Sequence, residues 1–385
     1  MKFMRLSISS TFCFVGVVCL LFGCVDAYEP DTAYTSNVVV VDGLLTDQDE
    51  PQVVTLNRSR AEPYTGRFGT LPITKATVEL IIDTDRVVSL RETAPGNYQL
   101  PDGFRGEMGR HYQLRFALAD GTRYVSSAET MQPVPAIGPV SQRFVLSTIP
   151  AANPVRPLPA NEFFLDTDDP ADQTNYYRWD WTLWEKQTWC RSCYQGRYII
   201  YDSQNRLIED CRTDFSVLNY ADYYCRTPCW EILRSTNLNL FADTFTNGRS
   251  IRGRRVAQIP FLHYGSCLVE LRQSSLTPAA YQYFRLVESQ SQNAGGLADG
   301  PPIAPIGNVR NRANEQEPVV GYFAVSSVSR VRYWLNRTAT NSGPALANTL
   351  FEALNARLPE EDGRVLAVCA PSNSRTPVRP DGWRD

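Results

Sequence analysis

The sequence predicts a mainly β protein in two parts, and three observations carry that reading. Aromatic residues make up 11% of the chain, prolines (26) outnumber glycines (23), and apolar residues seldom recur at helical spacing. Short runs rich in β-branched and aromatic residues alternate instead with turn formers, as strands do. The chain has 385 residues, and single cores stop growing near about 250–300, so two domains are expected.

The first element precedes the fold. Lys2 and Arg5 give a basic start with no acidic residue before Asp26, and an apolar run of eleven residues follows from Phe12 to Phe22. That length suits a secretory signal core and falls short of the ~20 residues that cross a bilayer. The run ends in Leu21-Phe22-Gly23-Cys24, which resembles the bacterial lipoprotein cleavage box, although Phe22 is bulkier than usual there. The resemblance implies a signal peptide over 1–23 and a lipid on Cys24, with 24–36 as a polar tether. Several acyl chains hold a protein on a membrane far better than one.

The first domain is expected over 37–133. Strands are predicted at Asn37–Leu45, Gln52–Ser59, Ala76–Ile82, Arg86–Arg91, His111–Leu118 and Thr122–Ser127, with turns at Asp83-Thr84-Asp85 and Asp120-Gly121. Ala76-Thr77-Val78-Glu79-Leu80 followed by Pro95-Gly96-Asn97-Tyr98 resembles Ig-like or carboxypeptidase-regulatory-like sandwich modules, which implies a β-sandwich. Pro133 and Pro135 then stiffen the exit.

A larger β-rich domain is expected over 137–385, with one or two helices. Asn175–Leu183 reads as a strand with Tyr177, Trp179, Trp181 and Leu183 on one face. Further strands are predicted at Arg254–Phe261, Cys267–Gln273, Val319–Ser326 and Val331–Arg337, the last two as a closing pair. Thr277 as N-cap and Pro278 at the first helical position announce a helix carrying Ala280, Tyr283, Phe284 and Val287. Residues 296–318 read as a Gly-, Pro- and Asn-rich loop, and 345–357 as a short helix.

A cysteine-rich insert spans 188–230. Beyond Cys24 the mature chain holds Cys190, Cys193, Cys211, Cys225, Cys229, Cys267 and Cys369. Outside the cytoplasm such a set reads first as disulfides stapling a loop-rich insert, with one sulfur left over. The alternative is a zinc site of Cys190, Cys193, Cys225 and Cys229, whose spacing is permissible.

The remaining chemistry is sparse. Without residues 1–23, 36 basic residues face 41 acidic ones, a formal charge of −5, which gives nucleic acid no electrostatic footprint. The two histidines, His111 and His263, sit in different expected domains, and no nucleophile elbow or phosphate-cradling glycine loop occurs. No cofactor and no catalytic residue is expected. Asp166, Asp168, Asp169 and Asp172 offer oxygen at calcium-like intervals but lack the loop's glycine and distal glutamate, so a turn around Asp169-Pro170 is the favoured reading. Trp184, Trp189 and Trp230 depart from the core alternation and border the insert, which makes them candidates for a ligand surface or for packing around the disulfides. Gly307, Asn308, Asn311 and Asn314 read as conformational residues, with partner contact as the alternative.

Several pieces in order complete the reading: Val41-Asp42-Gly43-Leu44-Leu45 before Val54-Thr55-Leu56-Asn57-Arg58-Ser59, Asn175-Tyr176-Tyr177-Arg178, Pro228-Cys229-Trp230, Leu276-Thr277 through Phe284, Ile306-Gly307-Asn308-Val309, and Val320-Gly321-Tyr322-Phe323. With these the chain resembles the lipoproteins of Bacteroidota called domain of unknown function 4249. The resemblance carries no functional residues. It implies a lipoprotein anchored in the outer membrane by its lipid, beside a TonB-dependent β-barrel transporter. With no catalytic motif in the chain, the expected role is a non-catalytic accessory of uptake or surface assembly. The alternative is direct capture of a glycan or peptide by exposed aromatics of the second domain.

Overall fold

The computed structural model describes residues 37–61, 68–149, 158–171, 173–186, 190–191, 196–197, 200–201, 204, 206–209, 212–213, 222–223, 228–261, 265–291, 305–337 and 371–385. Cys24, the tether and the helix expected over 345–357 lie outside them.

The chain is mainly β, as its composition predicts. The first strands are β1 (Val39–Thr46), β2 (Val53–Ala61), β3 (Phe68–Pro72), β4 (Thr77–Ile82), β5 (Arg86–Ala94), β6 (Asn97–Gln99), β7 (His111–Ala117), β8 (Arg123–Ser126) and β9 (Glu129–Thr130). They pair in the order β8-β7-β4-β5-β6-β2-β1, with β3 on β2 and β9 on β7. Alternation fixes which face is buried, because successive side chains leave a strand on opposite sides. Val78, Leu80 and Ile82 of β4 and Tyr112, Leu114 and Phe116 of β7 therefore all enter one core, with Val41, Leu56 and Tyr98. Each such burial contributes about 1.5–3 kcal/mol. Three of these strands, β3, β6 and β9, escape the sequence reading: they are at most five residues long, too short to display a period.

The middle of the chain contributes β10 (Ile137–Ile149), β11 (Leu158–Asp168), β12 (Tyr176–Lys186), β13 (Cys190–Arg191), β14 (Gly196–Arg197), β15 (Ile200–Tyr201), β16 (Leu207–Glu209), β17 (Arg212–Thr213), β18 (Asp222–Tyr223), β19 (Trp230–Arg234), β20 (Asn239–Ala242), β21 (Ser250–Pro260) and β22 (Cys267–Ser275). Within the insert β13 pairs with β18, β14 with β17 and β15 with β16, nested in the manner of a hairpin. The sheet β10-β11-β21 faces a second one built on β22-β12-β19. Between them Phe163, Leu165, Tyr177, Trp179, Leu183, Val256, Ile259, Val269 and Leu271 form a second core. Helix α1 (Pro278–Ser291) follows. Thr277 caps it as its sequence predicts, its Oγ1 accepting the Ala280 N–H at 3.2 Å.

The chain then returns to both bodies through β23 (Val309–Asn311), β24 (Val319–Ser326), β25 (Val328–Leu335) and β26 (Arg375–Thr376). β23 pairs with β8, and β24 runs parallel to β1, so these two stand at opposite ends of the first sheet. An Ile306–Val320 bridge joins the ends. Sequence order alone assigns both strands to the region after Ile137; pairing assigns them to the first sheet. β24 and β25 likewise do not close as a pair, since β25 crosses to β22 in the second sheet. Only Ser327, fully buried, separates them. Its N–H donates to Ser275 Oγ at 3.1 Å, and its carbonyl accepts the Ser275 N–H at 3.1 Å. Those bonds satisfy a buried backbone that changes sheets.

Candidate functional site

The meeting of α1, β9 and β24 is organised by Glu129, which is 2% exposed. Its carboxylate accepts Tyr322 Oη at 2.7 Å, Thr277 Oγ1 at 2.5 Å, Ser127 Oγ at 3.1 Å and Asn308 Nδ2 at 3.3 Å. A carboxylate taken from water needs such donors to offset lost hydration. Burial, and then the neighbouring Glu129 charge, push the Tyr322 phenol far above its ordinary range. Tyr322 therefore donates and stays neutral.

Above this hub lies a cleft of about 780 Å³ between α1 and the β8–β23 edge. Gln282, Tyr283 and Leu286 line its helix side, and Asn308, Arg310 and Arg312 line the other. The Tyr283 and Tyr322 rings lie 4.9 Å apart, tilted at 34° to each other. Ile306 (66% exposed) and Leu286 (43%) offer apolar surface at the mouth. The volume falls in the range of small-molecule sites, about 300–1,000 Å³.

The wall beneath the cleft depends on two glycines. A Cβ on Gly307 would lie 1.5 Å from the Gly321 carbonyl oxygen, and a Cβ on Gly321 would lie 1.9 Å from that of Val41. Gly321 also has φ of +95°, a conformation that side chains oppose. Three of the family-like pieces, around Val41, Gly307 and Gly321, thus stack backbone on backbone. Gly307, Asn308 and Asn311, read from sequence as conformational residues with partner contact as the alternative, do line this cleft, whereas the roles of Glu129 and Tyr322 escape the sequence. Asn311 shapes the next turn, its Oδ1 accepting the Ala313 N–H at 2.8 Å.

The tryptophans gather elsewhere. Trp230 is 3% exposed, which corrects its reading as a ligand surface. It packs with Leu268 and Trp383, and with the half-buried Trp184 and Trp334, on the outer face of the second sheet. Trp383 meets the Trp230 and Trp334 rings edge-on at 5.8 and 4.9 Å. Arg332 stands 5.9 Å from the Trp184 ring and donates to Asp381 Oδ2 at 2.6 Å. The C-terminal segment therefore covers this aromatic face; Trp189 lies outside the described residues. Trp179 and Trp181 pack at the second core, as their alternation predicts.

Cys229 is buried and disulfide-bonded. Its partner is not Cys267, the other cysteine with a described side chain, which is a free thiol and so corrects that disulfide candidate. Cys267 sits fully buried in β22, and burial pushes its thiol up to about 12. A sulfur in a disulfide offers no thiolate, so the four-cysteine zinc alternative loses Cys229 as a ligand. Cys193, Cys211, Cys225 and Cys369, and the side chain of Cys190, lie outside the described residues.

The acidic loop does not converge. Asp166 accepts the Gly253 N–H at 2.7 Å and Asp168 accepts Ser250 Oγ at 2.6 Å, whereas Asp169 turns inward to Tyr177 Oη at 2.6 Å. Asp172 is outside the described residues, as is His263. His111 is exposed at the start of β7, its Nδ1 2.7 Å from Thr130 Oγ1.

Architecture and site define a β-rich protein of several sheets, the first of them joined at its ends by a late-returning segment that also walls a cleft. The chain belongs to the family described as Domain of unknown function (DUF4249), whose model matches residues 25–332. No curated protein and no solved structure matches it.

Proposed function

We propose that this protein is a non-catalytic lipoprotein, held in the outer membrane of a Bacteroidota cell by acyl chains on Cys24. There it serves as an accessory of a TonB-dependent uptake or surface assembly system. One observation carries the reading: the basic start, the short apolar run and Gly23-Cys24 fall in order, and the family match opens at residue 25. The Cys229 disulfide supports an oxidising compartment, where such bonds persist. Among the described residues no helix is long and apolar enough to cross a membrane. The cleft beside α1, with exposed Ile306 and Leu286 at its mouth, is the surface that would meet a barrel partner.

Direct capture of a glycan or peptide is the second reading, and the cleft volume of about 780 Å³ favours it. The tryptophan face no longer supports that reading, because Trp383 covers it. Affinity purification from mildly solubilised membranes separates the two. A stoichiometric β-barrel protein, lost on Ile306→Asp, supports the accessory role. Absence of any barrel, with glycan or peptide binding abolished by Tyr283→Ala and Arg310→Glu, replaces it with direct capture.

A further inference from the structure

Asp243 follows β20 and is fully buried; Asp169 follows β11 and is 7% exposed. Their carboxyl groups lie within hydrogen-bonding reach of each other. The oxygens of Asp169 have donors: Oδ1 accepts Tyr177 Oη at 2.6 Å, and Oδ2 accepts the Gly248 N–H at 3.1 Å. Asn175 Nδ2 approaches Asp243 Oδ2 at 3.4 Å, but the buried Oδ1 of Asp243 has no partner. All of these donors are neutral.

The surrounding charges point elsewhere. On β11 and β21, Asp166, Asp168 and Arg252 pair with one another on the exposed side. Arg254 of β21 lies over the Trp179 and Phe241 rings and donates to Asn239 Oδ1 at 2.8 Å. From β12 the titratable group facing the pair is Tyr177, its phenol raised by burial and then by Asp169 and Asp243. Asp172 is outside the described residues.

Two adjacent buried carboxyl groups served only by neutral donors do not readily both ionise, because the charge of Asp169 adds to burial in disfavouring a second charge on Asp243. We propose that Asp169 and Asp243 share one proton, carried on Asp243 Oδ1 and donated to Asp169, as a latch between the end of β11 and the turn over 244–248. The neutral donors then stabilise the single remaining negative charge. Burial first, and the Asp169 charge after it, raise Asp243 above the ordinary carboxyl range. A raised folded-state pKa makes the latch closed at acid pH and opens it as pH climbs through that raised value. The latch also accounts for Asn175 and Tyr177 in the piece Asn175-Tyr176-Tyr177-Arg178, whose side chains hold the two acids.

Side-chain carboxyl NMR of the full mature chain, with amide exchange at Gly248, tests this. One carboxyl is expected to titrate above the ordinary range, and Gly248 exchange, corrected for its intrinsic pH dependence, to accelerate roughly tenfold per pH unit beyond it. Asp243→Asn keeps a donor toward Asp169 and is expected to hold Gly248 protected at every pH. Two ordinary carboxyl titrations would overturn the latch, as would Asp243→Asn exchanging as fast as Asp243→Ala. Calcium or magnesium that slows wild-type exchange would overturn it too, by making the pair a cation site.

Discussion

Asn308 holds both main-chain hydrogen-bonding groups of Phe323: Oδ1 accepts the Phe323 N–H at 2.9 Å and Nδ2 donates to the Phe323 carbonyl at 2.9 Å. One side chain does the work of a paired strand residue where the two ends of the first sheet meet. Asn308→Ala leaves both groups without that partner and is expected to cost about 1–3 kcal/mol. Urea unfolding reads the loss directly, and a midpoint unchanged from wild type would remove Asn308 from this role.

Gly321 tests the same seam from the other side. Its alanine variant meets the Val41 carbonyl at 1.9 Å and retains a φ of +95°. A clash with backbone cannot relax by rotating a side chain, so Gly321→Ala is expected to destabilise by more than ~2 kcal/mol. Thermal melts should show it clearly, whereas Gly103→Ala, where a Cβ meets open space, should differ only by its own positive φ.

Much of this seam was readable as elements and unreadable as contacts. Alternation announces β12, short runs rich in β-branched and aromatic residues announce β1, β2, β4, β7 and β22, and Thr277-Pro278 announces α1. Nothing local says that β24 pairs parallel with β1, 280 residues earlier in register at Val39–Val319. Parallel pairing of distant segments leaves no turn signature, so order could not place β24 beside β1, and β23, three residues inside the loop expected over 296–318, is too short to show a period. Trp230 misled for a related reason. It breaks the alternation of β12 because it belongs to β19, and the cover over it, Trp383, comes from the far end of the chain. Glu129 carried no signal at all, since a buried carboxylate reads in sequence as a surface one.

Arg272 of β22 grips Glu50, in the β1–β2 turn, through two bonds of 2.7 and 2.6 Å. Burial pushes the Glu50 carboxyl up, but the Arg272 bonds and charge outweigh it and hold it below its ordinary value. A depressed folded-state pKa stabilises above the unfolded value and is lost as pH falls through the folded one. Glu50→Gln is therefore expected to cost about 1–3 kcal/mol at neutral pH and progressively less toward acid. Unfolding curves across that range check the sign; a difference that grows on acidification would contradict it.

Trp383 closes the aromatic face of the second sheet, and its removal should open it. Trp383→Ala is expected to cost about 3 kcal/mol, to raise binding of a hydrophobic dye, and to expose Trp230 and Trp334 to quenchers. If quenching stays at the wild-type level, the C-terminal segment does not shield the face in solution.

Acylation of Cys24 is the most direct test of the whole account. Intact-mass analysis of protein recovered from its own membranes is expected to show a chain beginning at Cys24 and carrying acyl groups, with Cys24→Ala released from the membrane. A water-soluble product that keeps Met1 and bears no lipid would contradict the envelope assignment and the uptake role built on it.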